Sequence, residues 1–211
     1  MHNKDKIVAA ATALFEESGR EALSVRTVAQ RAGLSTIGIY SHFKGKQGLL
    51  NALYINGCEL LLSKIENVTG KTDSDKILDA SERLLEFSVS HRAYYRLVFN
   101  PAAHECNTSE EAAKAFDRVT HSLSLLTLPL HKKCPSPDKS KTSASHIWAL
   151  IHGFVSLNDT GIFDNSSFKS TSAAHRPVYS ATDSNNMDTV QWKERALNAI
   201  RLHVYAIAAT Q

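Results

Sequence analysis

Cysteine is scarce, with Cys58, Cys106 and Cys134 the only three in 211 residues. So few, and an odd number, exclude a disulfide scaffold and fit a reducing compartment. No run of about 18 apolar residues is present, so no membrane span is expected. The apolar stretch Ile7 to Phe15 is short, helical in period and closed by Glu16-Glu17, unlike a signal peptide. No period-two run bounded by hairpin turns appears, so strands are not expected. No internal repeat is found. A glycine-rich phosphate loop, a Gly-x-Ser-x-Gly elbow and a His-Glu-x-x-His pair are all missing. The chain is therefore not read as an enzyme, and no cofactor is expected, although sequence alone leaves a Cys-His pair open.

What is present is the composition of an ordinary soluble globular protein: 43% hydrophobic, 21% charged, 8% aromatic. The net charge is +3, and its placement matters more than its size. Residues 1–50 carry seven Lys/Arg (Lys4, Lys6, Arg20, Arg26, Arg31, Lys44, Lys46) against four acids, while residues 51–211 carry seventeen of each. The whole excess lies at one end, as a solvated basic face or as a footprint for phosphate.

Periodicity predicts an all-α protein. The first helix covers 4–18, with Ile7, Ala11, Leu14 and Phe15 on one stripe and Gly19 closing it. The second follows Ser24 as N-cap and ends at Gly33; the third runs from Ser35 to about His42; the fourth spans Lys46 to about Ile65. Longer helices are expected at Asp75–Ser90, Ser109 to about Leu128, His146–Ile162 and Asp188–Ala209, with a shorter one at Arg92–Phe99. Pro129 to Pro137 reads as a break, and the polar stretch 165–186 as a long loop.

The informative stretch is Ser24 to Phe43. Two short helices meet at Ala32-Gly33-Leu34, with small Ala29 at the crossing, Gly33 for a positive φ and Leu34 to pin the angle. In the second of the pair only Ile39 and Phe43 need burial. Its other face is small or hydrogen-bonding, which suits a major groove. Alone, such a pair also occurs in plain bundles.

The segment Ile7 to Tyr54 resembles the TetR family of bacterial transcriptional regulators. The likeness rests on Ala-Leu-Phe-Glu-Glu-Ser-Gly at 13–19, Val28 to Ser35 across the turn, Ile39-Tyr-Ser-His-Phe-Lys-Gly-Lys46, and Leu49-Leu50. A later stretch, Trp148-Ala-Leu-Ile-His152-Gly153, resembles a Trp-x-x-x-His-Gly segment in the regulatory domain of many members. The resemblance implies an N-terminal helix-turn-helix DNA-binding domain over 1–48 and a helical ligand-binding and dimerisation domain over 49–211. It implies a cytoplasmic, ligand-responsive homodimeric repressor of a palindromic operator in double-stranded DNA. Arg26 matches a residue that reaches phosphate or a base edge. Thr36, Ile37 and Gly38 occupy the exposed first turn of the recognition helix, where bases are read, and Ser35, its N-cap, is counted with the DNA-binding residues. Tyr40, His42 and Lys46 match phosphate contacts. Ile37 and Gly38 depart from a hydrogen-bonding pattern, so direct readout is expected to be thin, although an isoleucine can meet a thymine methyl.

Tyr54, Tyr94, Phe99, Phe116, Trp148 and His152 are candidates for an effector pocket holding a small apolar or aromatic molecule. Simple core packing is the alternative at each position. A ligand there would act by tilting the fourth helix. For the dimer, Leu197, Ile200, Val204 and Trp148 are candidate contacts, again with core packing as the alternative. His104-x-Cys106 and His131-x-x-Cys134 have ligand-like spacing but fall in separate loop-like regions, so no metal site is expected and solvated histidines are favoured. The rival from another class is a helical binding module whose first 50 residues only cap a bundle. A weaker third reading is an all-α hydrolase or metal enzyme.

Overall fold

The computed structural model describes residues 3–99, 109–131, 133, 135–160 and 186–209, with side chains described from 191 onward in the last stretch. Every regular element among them is helical: α1 Asn3–Ser18, α2 Val25–Ala32, α3 Thr36–Phe43, α4 Lys46–Glu66, α5 Asp73–Ser90, α6 Arg92–Phe99, α7 Glu110–Thr127, α8 Pro137–Asp159 and α9 Asn186–Ala209. Single 3-10 turns at Arg20–Ala22 and Leu128–Leu130 add to these. Cys106, His104, Cys134 and nearly all of the expected 165–186 loop lie outside the described residues.

The helices gather into two compact units, Met1–Asn67 with Glu86–Ser122, and Val68–Leu85 with Leu123–Gln211. In the first, α1 packs on α2 and α4, and α4 packs on α6. Its core draws on Ile7, Phe15, Val28, Ile39, Leu49 and Leu53. The α3–α4 corner is tight: a Cβ on Gly48 would run into the Phe43 carbonyl, so any larger residue there would force the corner open. In the second unit α8 packs on α9, around Ile147, Ile151, Trp192, Ala196, Ile200 and Val204.

α8 starts at Pro137, nine residues before the periodicity places it. Pro137 sits at a helix start, where its missing N–H costs nothing. The first turns then bury serines rather than aliphatics. Ser140 Oγ donates to the Ser124 carbonyl, Thr127 Oγ1 reaches the Ser140 carbonyl at 2.9 Å, and His131 Nε2 lies 3.0 Å from Ser143 Oγ. Buried hydroxyls satisfied in this way are sound packing but leave no apolar stripe to detect. The same cluster corrects the reading of His131 as a solvated surface histidine: it is buried.

Candidate nucleic-acid interface

The geometry from Ser24 to Lys46 is set by short-range bonds. Ser24 Oγ accepts from Thr27 N at 3.0 Å while Thr27 Oγ1 accepts from Ser24 N at 3.0 Å, a reciprocal cap that starts α2. Val28 and Ala29 are its buried face. Gly33 ends it at φ 66°, a backbone conformation that strains most side chains. The chain turns with Leu34 N bonded to the Ala29 carbonyl at 3.0 Å, which closes the helix end. Ser35 Oγ then caps α3 by accepting from Gly38 N at 3.3 Å. Ile39 and Phe43 are the buried residues of α3.

The rest of that helix faces out. Ser35, Thr36, Ile37, Tyr40, Ser41 and His42 are exposed, and Gly38 is half-buried. Ile37 is 78% exposed, more than any other large hydrophobic side chain among the described residues. The Tyr40 ring comes within 3.4 Å of the position a Cβ on Gly45 would take, so the ring leans over the α3–α4 corner. Lys44 ends α3 in the left-handed region, at φ 57°, and Lys46 is the first residue of α4. An exposed amine at a helix start adds to the positive end of the helix dipole, an arrangement that favours anions.

The cations here differ in what they hold. Arg31 is neutralised by Glu17 through two bonds of 2.6 and 2.5 Å, and each group stabilises the charged form of the other. Arg26, Lys44 and Lys46 pair with no carboxylate among the described residues. The exposed residues of α2, the α3 C-cap and the start of α4 thus include three cations without a carboxylate partner among the described residues, and the outer face of α3 is small, hydroxylic and apolar. Lys44 was not singled out from sequence; its left-handed backbone is a turn property that no periodicity reports.

The effector candidates divide between the units. Tyr54, Tyr94, Phe99 and Phe116 belong to the first. Tyr54 and Tyr94 are buried, and burial pushes the Tyr54 phenol up to about 12. Tyr94 Oη lies 2.9 Å from Thr12 Oγ1 and accepts from Asn56 Nδ2 at 2.9 Å, and its ring meets Phe15 edge-on at 5.6 Å. Phe99 and Phe116 are half-buried and meet edge to face at 6.0 Å. Trp148 and His152 belong to the second unit, stacked at 5.4 Å and 14°. Burial lowers the His152 imidazole to about 4, so it is neutral at pH 7. A groove of about 560 Å³ runs beside α1 from Lys4 to Glu16, with Asn56 on its wall; none of the six candidates lines it.

Two of the four dimer candidates need correction, while Leu197 and Trp148 are half-buried. Ile200 and Val204 are fully buried within the chain and are core residues. Among the described residues, the large apolar side chains that α9 exposes are Leu202, at 73%, and Tyr205, at 50%, one turn apart. Cys58 is buried, and burial pushes its thiol up to about 12, so it is no nucleophile at neutral pH.

No described helix is long and apolar enough to cross a membrane. The described residues hold no cluster of three or more metal-ligating side chains.

Residues 7–53 match the family model for bacterial regulatory proteins of the tetR family, and residues 77–182 match the model for the tetracyclin repressor-like C-terminal domain. A probable HTH-type transcriptional regulator, YttP of Bacillus subtilis, is 30% identical over 100 residues, which is 46% of this chain and 48% of that one. The match thus spans about half the length of that curated relative. Among solved structures, the transcriptional regulator SCO7222 of Streptomyces coelicolor, described as a TetR, superposes with a TM-score of 0.62 at 18% identity, covering 98% of this chain and 97% of that one. A transcriptional regulator from Rhodococcus gives a TM-score of 0.61 at 22% identity, covering 96% and 94%. At those identities the structures speak for the shared all-α fold, and the two family models carry the assignment: this chain belongs to the TetR family of bacterial regulatory proteins, which are DNA-binding transcriptional regulators.

Proposed function

We propose that the protein is a homodimeric repressor that binds a palindromic operator in the cytoplasm and releases it on binding a small, largely apolar effector. The observation that supports DNA binding best is the exposed face of α3, followed directly by Lys44 and Lys46, with exposed Arg26 on α2; none of the three is held by a carboxylate among the described residues. Unpaired cations neutralise phosphate and release counterions, and an eight-residue helix with a polar, small-residue outer face fits a major groove. Arg26, Tyr40, His42, Lys44 and Lys46 hold phosphate in this reading, and Ser35, Thr36, Ile37 and Gly38 face the bases.

One such helix reads only a few base pairs, so specificity needs two copies about 34–36 Å apart. Leu202 and Tyr205 support a self-association face on α9, because solvent gains nothing from two large apolar groups on one helix side. For the effector, the half-buried Phe99–Phe116 pair leaves aromatic surface within the first unit, whereas Tyr54 and Tyr94 are already buried. An effector shifts the equilibrium only by its differential affinity for the bound and released spacings.

Selection from random-sequence duplexes, followed by sedimentation of the protein with and without the enriched duplex, tests this reading. An inverted repeat bound by two chains is expected. A chain that enriches no sequence and sediments as a monomer at micromolar concentration fits the helical binding module instead.

A further inference from the structure

The recognition helix Thr36–Phe43 contains no Arg, Lys, Asn, Gln, Asp or Glu. Those are the side chains that bond guanine and adenine in pairs or accept from cytosine. Its hydroxyls are partly committed to the helix itself. Ser41 Oγ donates to the Gly38 carbonyl at 2.9 Å, and Ser35 Oγ accepts from Gly38 N. What α3 offers outward in its first turn is the Thr36 side chain and the sec-butyl group of Ile37.

Two neighbouring residues there have no explanation inside the fold. Ile37 is 78% exposed, so its hydrocarbon contributes almost nothing to the core. Gly38 lies within a helix with an ordinary φ, and a Cβ there would meet only Ser35 Oγ, at 3.8 Å. Nothing in the chain requires a glycine at that position, and glycine weakens a helix relative to alanine. An apolar group held out into solvent beside a position kept bare fits a surface that approaches closely and is itself apolar at one point. In the major groove the one apolar group is the C5-methyl of thymine.

We propose that Ile37 and Gly38 form a thymine-reading element. The Ile37 side chain seats against a thymine C5-methyl, and bare Gly38 lets the helix backbone come close enough for that contact. Each half-site then carries a thymine selected by its methyl group and not by hydrogen bonds. This rests on the DNA-binding reading above.

The test uses the full chain and the duplex enriched by selection. Each thymine is replaced in turn, on both half-sites, by deoxyuridine, which differs only by the missing methyl. Losing one buried methyl contact corresponds to roughly a threefold to fivefold weaker binding. That loss is expected at one thymine per half-site with the wild-type protein, and at none with Ile37→Ala. Because Ile37 is exposed, Ile37→Ala is expected to fold, and its far-ultraviolet dichroism checks that. If every deoxyuridine duplex binds the wild-type protein as tightly as the parent, methyl reading is overturned while sequence-specific DNA binding stands. If the wild-type protein enriches no duplex at all, both this inference and the DNA-binding reading fall.

Discussion

The Tyr94 hydroxyl lies 2.9 Å from the hydroxyl of Thr12, 82 residues earlier, and accepts the Asn56 amide at the same distance. One side chain on α6 therefore ties α1, which supports the helix-turn-helix, to α4, which leaves it. The partners are partly buried, so water replaces them poorly. Tyr94→Phe keeps the ring and removes both bonds. A loss of about 1 kcal/mol is expected, lowering the thermal midpoint by about 2–4 °C. An unchanged midpoint would show that the link contributes nothing to stability.

Gly38 separates folding from binding. Gly38→Ala should raise the thermal midpoint slightly, since the added Cβ makes only an ordinary contact with Ser35 Oγ and alanine favours the helix by about 0.5–1 kcal/mol. The same change should weaken operator binding, by holding the helix away from the bases. Isothermal titration with the enriched duplex, beside a melting curve, reads both. A variant that is more stable and binds equally well would mean the bare position is not used for approach.

Acid should destabilise the second unit through its histidines. Burial lowers His152 to about 4, and His203 is lowered by burial and by nearby His146. An unfolded histidine titrates near pH 6.5. Between that pH and about 4 the unfolded chain holds more protons than the folded one, so stability falls as pH falls. The His152 share is up to about 3 kcal/mol, complete once the pH is below about 4. Urea titrations from pH 7 to 4 should show a shallower acid loss for His152→Gln than for wild type. Equal slopes would contradict a buried neutral imidazole at this position.

Leu202 and Tyr205 can be tested without touching the core. Leu202→Glu and Tyr205→Glu place charges on exposed positions of α9, so folding should survive, while any self-association through this face should be lost. Sedimentation at micromolar concentration should show a dimer for wild type and a monomer for the double variant. A double variant that stays dimeric would move the interface elsewhere.

The helix-turn-helix was readable because its signals are local. Ser24, Gly33 and Ser35 act within three or four residues of themselves, and the two apolar residues of α3 that need burial are the two that receive it. The start of α8 was not readable, because Ser140 and Ser143 are buried through hydrogen bonds that hydrophobic periodicity does not register. Ile200 and Val204 show a different limit. An apolar stripe says that a helix side is covered, and not whether its own chain or another copy covers it. The Thr12–Tyr94–Asn56 cluster joins residues far apart in the chain, and no local pattern announces such a meeting.

Salt dependence of binding to the enriched duplex tests the DNA-binding face most directly. For wild type, the logarithm of affinity should fall linearly with the logarithm of salt concentration, with a slope set by the number of phosphates neutralised. Arg26→Ala and Lys46→Ala should each weaken binding to every duplex alike and reduce the slope by about one unit. A double Arg26→Ala/Lys46→Ala protein that keeps the wild-type affinity and the wild-type slope would contradict the assignment of this surface to DNA.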